Sequence, residues 1–464
     1  MKKSINRIAF FNTLSVLLLQ GISLISAPLF SRLLGTDGYG NLASFTVWAN
    51  MMTTVFSLQS NMTIVNARQE YSEQEQPAYQ SSVMALSMAC FAVAGVLMML
   101  FSGLLSAALK MDRLLIALML VQAFGTFCVN FLGSKFTYEF KADKNMLLSV
   151  FMAVANLGVS LLLVLNMPRE QRYFGRVLGT VVTNGVVGLA GCVWILLRGR
   201  TLYNANYWKF CFTLGWPLAC QGLAYSLLSN SDIMMLRQLA DASSAGIYSN
   251  ALSLAGVMFV LYSALNNTWV PFFYDDMKQG QRDNVVQRGK NYLELYTVLS
   301  VGFVLLVREV YHVYADESFW AGTEVIPFFV ASYYGNTLCT FPVNYEIHHK
   351  KTGAVTVGTV SAALTNVGLN YLMIRAWGMI GAAAATLIAR CIQLALHELY
   401  SRRILGRGGD YPFRLEAGLA GIAALAASVA LFYLTPNAWF IRWPLAAAVG
   451  LWELLRILKR RSLL

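Results

Sequence analysis

The sequence predicts an all-α polytopic membrane protein of about fourteen transmembrane helices, with two six-helix lobes and two appended C-terminal helices. Three observations predict it. First, 57% of the 464 residues are hydrophobic and only 12% are charged, against about 25% charged in soluble domains. Second, continuous apolar runs of roughly 20 residues, enough to cross about 30 Å of hydrocarbon, recur from end to end. They do not alternate, which indicates helices rather than a barrel. Third, short motifs of the first half return in the second half at nearly one offset.

Taken in order, the spans are expected near 8–30, 41–64, 81–108, 113–134, 145–165, 176–197, 212–236, 246–270, 290–311, 324–345, 354–374, 379–399, 413–434 and 442–458. The first carries basic residues ahead of it and lacks a small-residue cleavage site, so it reads as a helix rather than a signal peptide. The formal charge of +12 reports topology rather than nucleic-acid binding. Alternate segments counted from the N-terminus hold 24 Lys and Arg, and the opposite segments hold 10, with Arg390 inside a span. That bias expects both termini in the cytoplasm.

The repeat is read from four short matches, the first two within one motif. Arg32 with Gly40 answers to Arg237 with Gly246, at offsets of 205 and 206. Asn156–Ser160 in span 5 answers to Asn366–Asn370 in span 11, at 210. Gly175 with Gly179-Thr180 in span 6 answers to Gly381 with Ala385-Thr386 in span 12, at 206. Six spans per copy is even, so the copies point the same way and a pseudo-two-fold axis along the membrane normal is expected. The lobes are expected at 1–205 and 206–400, with the appended pair in 401–464. This design points to a transporter.

Polar side chains in hydrocarbon are costly, so their distribution points to a pathway. Spans 1, 2, 7 and 8 are the rich ones, with Gln20, Asn61, Asn230 and Asn250 the candidate substrate contacts. The bland alternative for any one of them is a hydrogen bond between helices. Arg32 and Arg237, at the outer ends of spans 1 and 7, either snorkel to headgroups or bind an anionic headgroup at a cavity roof. Arg390 lies inside span 12, where snorkelling is harder, with Glu398 two turns on. Asp232 is read as the acidic residue well inside an apolar span. It either pairs with an Arg or caps a helix break, or it couples to a cation or positions a cationic substrate-binding residue. Arg308 and Glu309 read as a local ion pair. Pro28 and Pro217 lie within equivalent helices and, with Gly40 and Gly246, are the candidate hinges, although packing alone explains them too.

No cofactor or metal is expected. The seven cysteines are scattered in apolar runs without a CxxC pair, and His312, His348, His349 and His397 form no ligand set. Lys351-Thr352 lacks the upstream glycines of a Walker A loop, and neither a nucleophile elbow nor HExxH occurs.

Three stretches carry a resemblance: Ser31-Arg32-Leu33-Leu34-Gly35 with Gly38-Tyr39-Gly40, Gly246-Ile247-Tyr248-Ser249, and Trp377-Gly378-Met379-Ile380-Gly381-Ala382-Ala383. With these the chain resembles, over essentially its whole length, the polysaccharide-biosynthesis (Wzx-like O-antigen and capsule) flippases of the multidrug/oligosaccharidyl-lipid/polysaccharide exporter superfamily. The resemblance implies two lobes around a V-shaped cavity and alternating access in a bacterial cytoplasmic membrane. It implies a polyprenyl-pyrophosphate-linked oligosaccharide as substrate, polysaccharide polymerase machinery as a partner, and a monomeric transport unit. Asn, Gln and Ser would then meet sugar, and the Arg forks would meet pyrophosphate. One departure is that residues 8–30 lack the acidic residue common in span 1 of the drug exporters. The alternatives are a cation-coupled multidrug antiporter of the same superfamily and a membrane polysaccharide polymerase.

Overall fold

The computed structural model describes residues 2–405, 411–413 and 415–460. Three of the basic residues counted above, Arg407, Arg414 and Arg461, lie outside them. The described residues form α1 (Lys2–Phe56), α2 (Ser60–Glu70), α3 (Gln76–Leu100), α4 (Ser102–Leu109), α5 (Arg113–Tyr138), α6 (Ala142–Leu165) and α7 (Arg172–Gly199). They continue as α8 (Ala205–Leu239), α9 (Ala242–Lys278), α10 (Arg282–Tyr314), α11 (Ile326–His348), α12 (Thr352–Tyr400), α13 (Leu415–Leu434) and α14 (Trp439–Arg460). All-α polytopic architecture is therefore the observed fold. The chain divides into two compact units, Met1–Gly246 and Ile247–Leu464, so α8 belongs to the first.

Two helices each hold two expected spans. α1 covers the first span and most of the second, and α12 covers the eleventh and twelfth. Each turns at one glycine. Gly35 has φ 67° and ψ 177°, and Gly378 has φ 55° and ψ −130°, a backbone that a Cβ disfavours. The turn thus lies at Gly35, not at Gly40. Backbone dihedrals stay helical through Pro28 and Pro217, so neither proline breaks its helix. The third expected span is divided at Phe101, between α3 and α4.

In the first unit α7 packs on α3, α5 and α6. Small residues permit the approach: a Cβ on Gly188 would lie 2.6 Å from the Gly125 carbonyl oxygen, and one on Gly179 would lie 2.6 Å from Ser160 Cα. Tyr79, Phe91, Phe127 and Phe131 fill the core between α3 and α5. In the second unit α10 packs on α11, α13 and α14, and Trp269, Phe273, Tyr292, Phe341 and Phe413 form one aromatic cluster.

The ion pairs of the second unit differ from the local pairing expected of Arg308 and Glu309. Arg308 reaches Glu324 at 3.1 Å, while Glu309 accepts from Arg442 of α14. Adjacent residues on a helix point about 100° apart, so neighbours in sequence need not share a face. Arg390 likewise bonds Gln393 at 3.0 Å, and Glu398 bonds Arg402 at 2.5 Å.

Candidate functional site

The second membrane span is interrupted. α1 ends at Phe56 and α2 begins at Ser60, and the residues between include Leu58 at φ 52° and Gln59 at φ 47°. A left-handed backbone costs a non-glycine residue roughly 1–2 kcal/mol, so the break must be held by its surroundings. It is held by hydroxyls. The Ser87 hydroxyl of α3 donates to the Ser57 carbonyl at 3.1 Å and shares a hydrogen bond of 2.8 Å with Ser60 Oγ. The Gln59 amide donates to Ser57 Oγ at 3.1 Å. On the other side α8 passes over the break at Gly215, where a Cβ would lie 2.2 Å from the Leu58 carbonyl oxygen. Neither Gly nor Pro occurs in 57–61. Within the run Ser-Leu-Gln-Ser-Asn, Ser57 Oγ offers the backbone a competing partner, and the tertiary contacts fix the break.

The break lines a cavity of about 750 Å³ within the first unit. α1 and α2 contribute Asn50, Thr54, Ser57, Gln59 and Asn61. α5 contributes Thr126, Asn130, Ser134 and Tyr138, a strict spacing of four that puts them on one ridge. α6 adds Asn145, Ser149 and Met152, at spacings of four and three. Every polar group among the cavity's lining residues is a neutral hydroxyl or amide. Unwound backbone at membrane depth is tolerated where it lines such a cavity.

Tyr138 also lines a second cavity, of about 280 Å³, which is strongly charged. Arg68, Lys135, Lys141 and Arg198 face it, with Glu73 and Glu139 as the carboxylates. Buried Lys135 donates to Gln80 Oε1 at 2.5 Å and to Glu139 at 2.6 Å, and Lys141 reaches the other Glu139 oxygen at 2.6 Å. Burial alone would raise the Glu139 carboxyl. The two ammonium groups outweigh it and hold that carboxyl below the usual carboxylate range. All four cations come from segments that the charge count places on one side of the membrane.

Arg237 lies with residues of the opposite segments. Its Nε donates to Asn41 at 3.0 Å, and its Nη1 and Nη2 donate to the Leu109 and Lys110 carbonyls, each at 2.8 Å. The guanidinium therefore caps the C-terminus of α4 and ties α8 to α1. Lys110 returns a bond to the Gln238 carbonyl at 2.9 Å.

Of the candidate contacts, Asn61 lies in the large cavity and donates to Ser134 Oγ at 3.3 Å. The Gln20 side chain lies outside the described residues. Arg32 is exposed, and Asn230 turns back to the Ser226 carbonyl of its own helix at 3.4 Å. Asp232 is buried in α8. Asn250 is fully buried, and neither of its amide atoms meets a partner among the described residues. Gly40 and Gly246 are points of close backbone approach rather than turns.

Sequence reading missed the α5 and α6 faces of the cavity. The period-four run Thr126, Asn130, Ser134, Tyr138 was the available signal. It also missed Glu346, which is fully buried at the end of α11.

A family model described as "Polysaccharide biosynthesis protein" matches residues 6–276. The chain belongs to this family. No curated protein matches the sequence. Among solved structures, a lipid II flippase MurJ in an inward closed conformation superposes with a TM-score of 0.71 at 14% identity, covering 98% of this chain and 99% of the other. A multidrug resistance MATE family transporter of the MOP superfamily, inward-facing, gives 0.62 at 13% identity, covering 84% and 93%. An outward-facing structure described in the same terms gives 0.55 at 13%, covering 86% and 95%. These likenesses show the fold, and the family match together with six helices among the described residues that are long and apolar enough to cross a membrane marks a multi-pass membrane protein.

Proposed function

We propose that this member of the polysaccharide biosynthesis family is a flippase. Its cargo would be an oligosaccharide linked to polyprenyl pyrophosphate, carried by alternating access from the cytoplasmic to the outer leaflet of a bacterial cytoplasmic membrane. The observation that carries the reading is the pairing of an uncharged amide-and-hydroxyl cavity with a cationic pocket through the shared Tyr138. A sugar hydroxyl taken unpaired into hydrocarbon costs about 4–8 kcal/mol, so a glycan headgroup needs such a lining while its lipid tail stays in the bilayer. Asn61, Asn130 and Asn145 are assigned to the glycan, and Arg68, Lys141 and Arg198 to the phosphates. With the cation-rich side cytoplasmic, as the charge bias supports, both pockets load from inside.

Moving two negative charges outward gains about 4.6 kcal/mol per 100 mV of inside-negative potential. Transport then requires no nucleotide hydrolysis, and the assigned role is transport rather than catalysis. Arg32 is assigned to headgroup contact at the outer face, and Asp232, Asn250 and Arg390 to polar positions along the path. Arg237 is assigned instead to holding the outer helix ends together.

The test is deletion, followed by mass spectrometry of polyprenyl-linked sugars and complementation with Asn130→Leu and Asn145→Leu. Accumulation of lipid-linked glycan in the deletion, restored by wild type and not by the variants at equal protein levels, is the expected result. An unchanged lipid-linked pool on deletion would sink the proposal.

A further inference from the structure

The two pockets of the first unit keep polarity and charge apart. The lining of the large cavity falls in four stretches, 8–31, 38–67, 114–134 and 145–168, together with Thr137 and Tyr138. None of those stretches contains Asp, Glu, Lys, Arg or His. Lys135 follows Ser134 in sequence, yet its ammonium turns away from the cavity to Gln80 and Glu139. What faces the cavity is amide, hydroxyl and apolar surface, the last from Leu19, Met62, Val129, Leu148 and Met152. Amides and hydroxyls pair with sugar hydroxyls and acetamido groups as donors and as acceptors. To an anion they offer no opposite charge, so the cost of taking that anion out of water stands uncompensated.

The charged pocket does not make up the difference. Its four cations face two carboxylates, Glu73 and Glu139, which leaves an excess of two positive charges. A pyrophosphate joining polyprenol to a glycan carries one negative charge on each phosphate, so the excess is matched by the phosphates alone. Lys135 and Lys141 are already engaged by Glu139, each at 2.6 Å. In the second unit, Arg390 is buried and donates to Gln393 at 3.0 Å. A carboxylate on the sugars would therefore sit in the large cavity without a counter-charge.

We infer, resting on the flippase reading, that the glycan carried is uncharged: it is built of hexose, deoxyhexose or N-acetylhexosamine units and contains no uronic acid or other acidic sugar. The large cavity selects for this by having no charge of its own. Asn130, exposed to the cavity in the middle of the α5 ridge, is the position at which an introduced charge would change the selection.

The test uses the full chain in proteoliposomes of phosphatidylethanolamine and phosphatidylglycerol, at zero membrane potential so that charge exerts no electrical drive. Three polyprenyl-pyrophosphate-linked trisaccharides are compared, identical except at one sugar: a hexose, the matching hexuronic acid, and its uronamide. Transfer is read from the rate at which an impermeant glycosidase gains access to lipid of the inner leaflet. Wild type is expected to move the hexose and uronamide lipids at similar rates and the uronate at least about tenfold more slowly (about 1.4 kcal/mol). A smaller gap, or a faster uronate, overturns the inference and leaves the flippase reading in place. A uronamide as slow as the uronate overturns it too, because size then sets the rate. No transfer of any of the three overturns the flippase reading and this inference with it. Asn130→Arg puts a cation on the lining and is expected to narrow the gap severalfold, whereas Asn130→Gln keeps it. A folded Asn130→Arg protein with an unchanged gap overturns the assignment to this cavity, and the wild-type comparison decides alone should that variant not fold.

Discussion

The helical backbone at Gly40 lies directly on that at Gly246. A Cβ on Gly40 would fall 1.8 Å from the Ala242 carbonyl oxygen, and one on Gly246 would fall 2.1 Å from the Thr36 carbonyl oxygen. Real atoms cannot share that space, so alanine at either position forces the backbones apart. Gly40→Ala and Gly246→Ala are each expected to cost about 1–3 kcal/mol, the range for overpacking. Thermal unfolding in detergent checks this, with Gly158→Ala, where nothing lies within 4 Å, as the silent control. Equal stability for all three variants would remove the close approach.

The turns at Gly35 and Gly378 make a different demand. Space is available at both, since nothing lies within 4 Å of either Cβ position, but the dihedrals are not. Alanine there is expected to lose about 1–3 kcal/mol through backbone strain alone. D-alanine at the same position, introduced by peptide ligation, should recover most of it.

Arg237→Ala should destabilise the protein rather than only slow it. The substitution strips one side-chain acceptor and two carbonyls at the end of α4 of a charged donor, a loss of about 2–3 kcal/mol. Lower steady-state protein and a reduced melting temperature are expected, with Arg237→Lys intermediate. Full stability with lost transport would restore Arg237 to the substrate path.

Asn130→Ala tests the cavity from the other direction. Asn130 is exposed to the cavity, so its removal should leave unfolding within about 0.5 kcal/mol of wild type, as for surface positions. Export of lipid-linked glycan should fall severalfold in the same variant.

Glu139→Gln should show a pH signature. The folded carboxyl lies below its ordinary 4.5, so its contribution is fully present above that value and is lost as pH falls through the lowered one. Wild type should exceed the variant in stability near pH 7, where buried Lys135 would otherwise lack its counter-ion. The difference should close in acid. A constant gap from pH 7 to pH 3 would mean that charge is not its source.

How much of this the sequence disclosed depends on the kind of signal. Apolar runs about 20 residues long are dictated by bilayer thickness, and the expected spans fall on helices, with the second interrupted at Ser57–Gln59 and the third divided at Phe101. The internal repeat was legible because both copies do the same local job. In the first unit Gly179 seats on Ser160, and Arg176 bonds the Asn156 carbonyl at 3.2 Å. In the second, Asn366 bonds Thr386 at 2.9 Å and Asn370 at 3.2 Å. The break at Ser57–Gln59 was not legible. It depends on Ser87 and Gly215, which are 30 and 158 residues from Ser57 and arrive only with the tertiary fold. The use of Arg237 was hidden for the same reason: its partners lie on other helices.

The last helix, α14, is fastened to α10 by charge at both of its ends, and α13 packs on α10 beside it. Glu309 accepts from Arg442, Glu294 accepts from Arg456, and Trp443 adds a bond to Glu309 at 3.2 Å. Cutting the chain after Ser401 would strand two carboxylates on a helix newly bathed in lipid, each a cost of several kcal/mol. The C-terminal pair thus behaves as a covalently tethered subunit rather than an ornament. Supplying residues 411–464 as a separate polypeptide should rescue a truncated chain, and neutralising both acids should lessen its need for rescue.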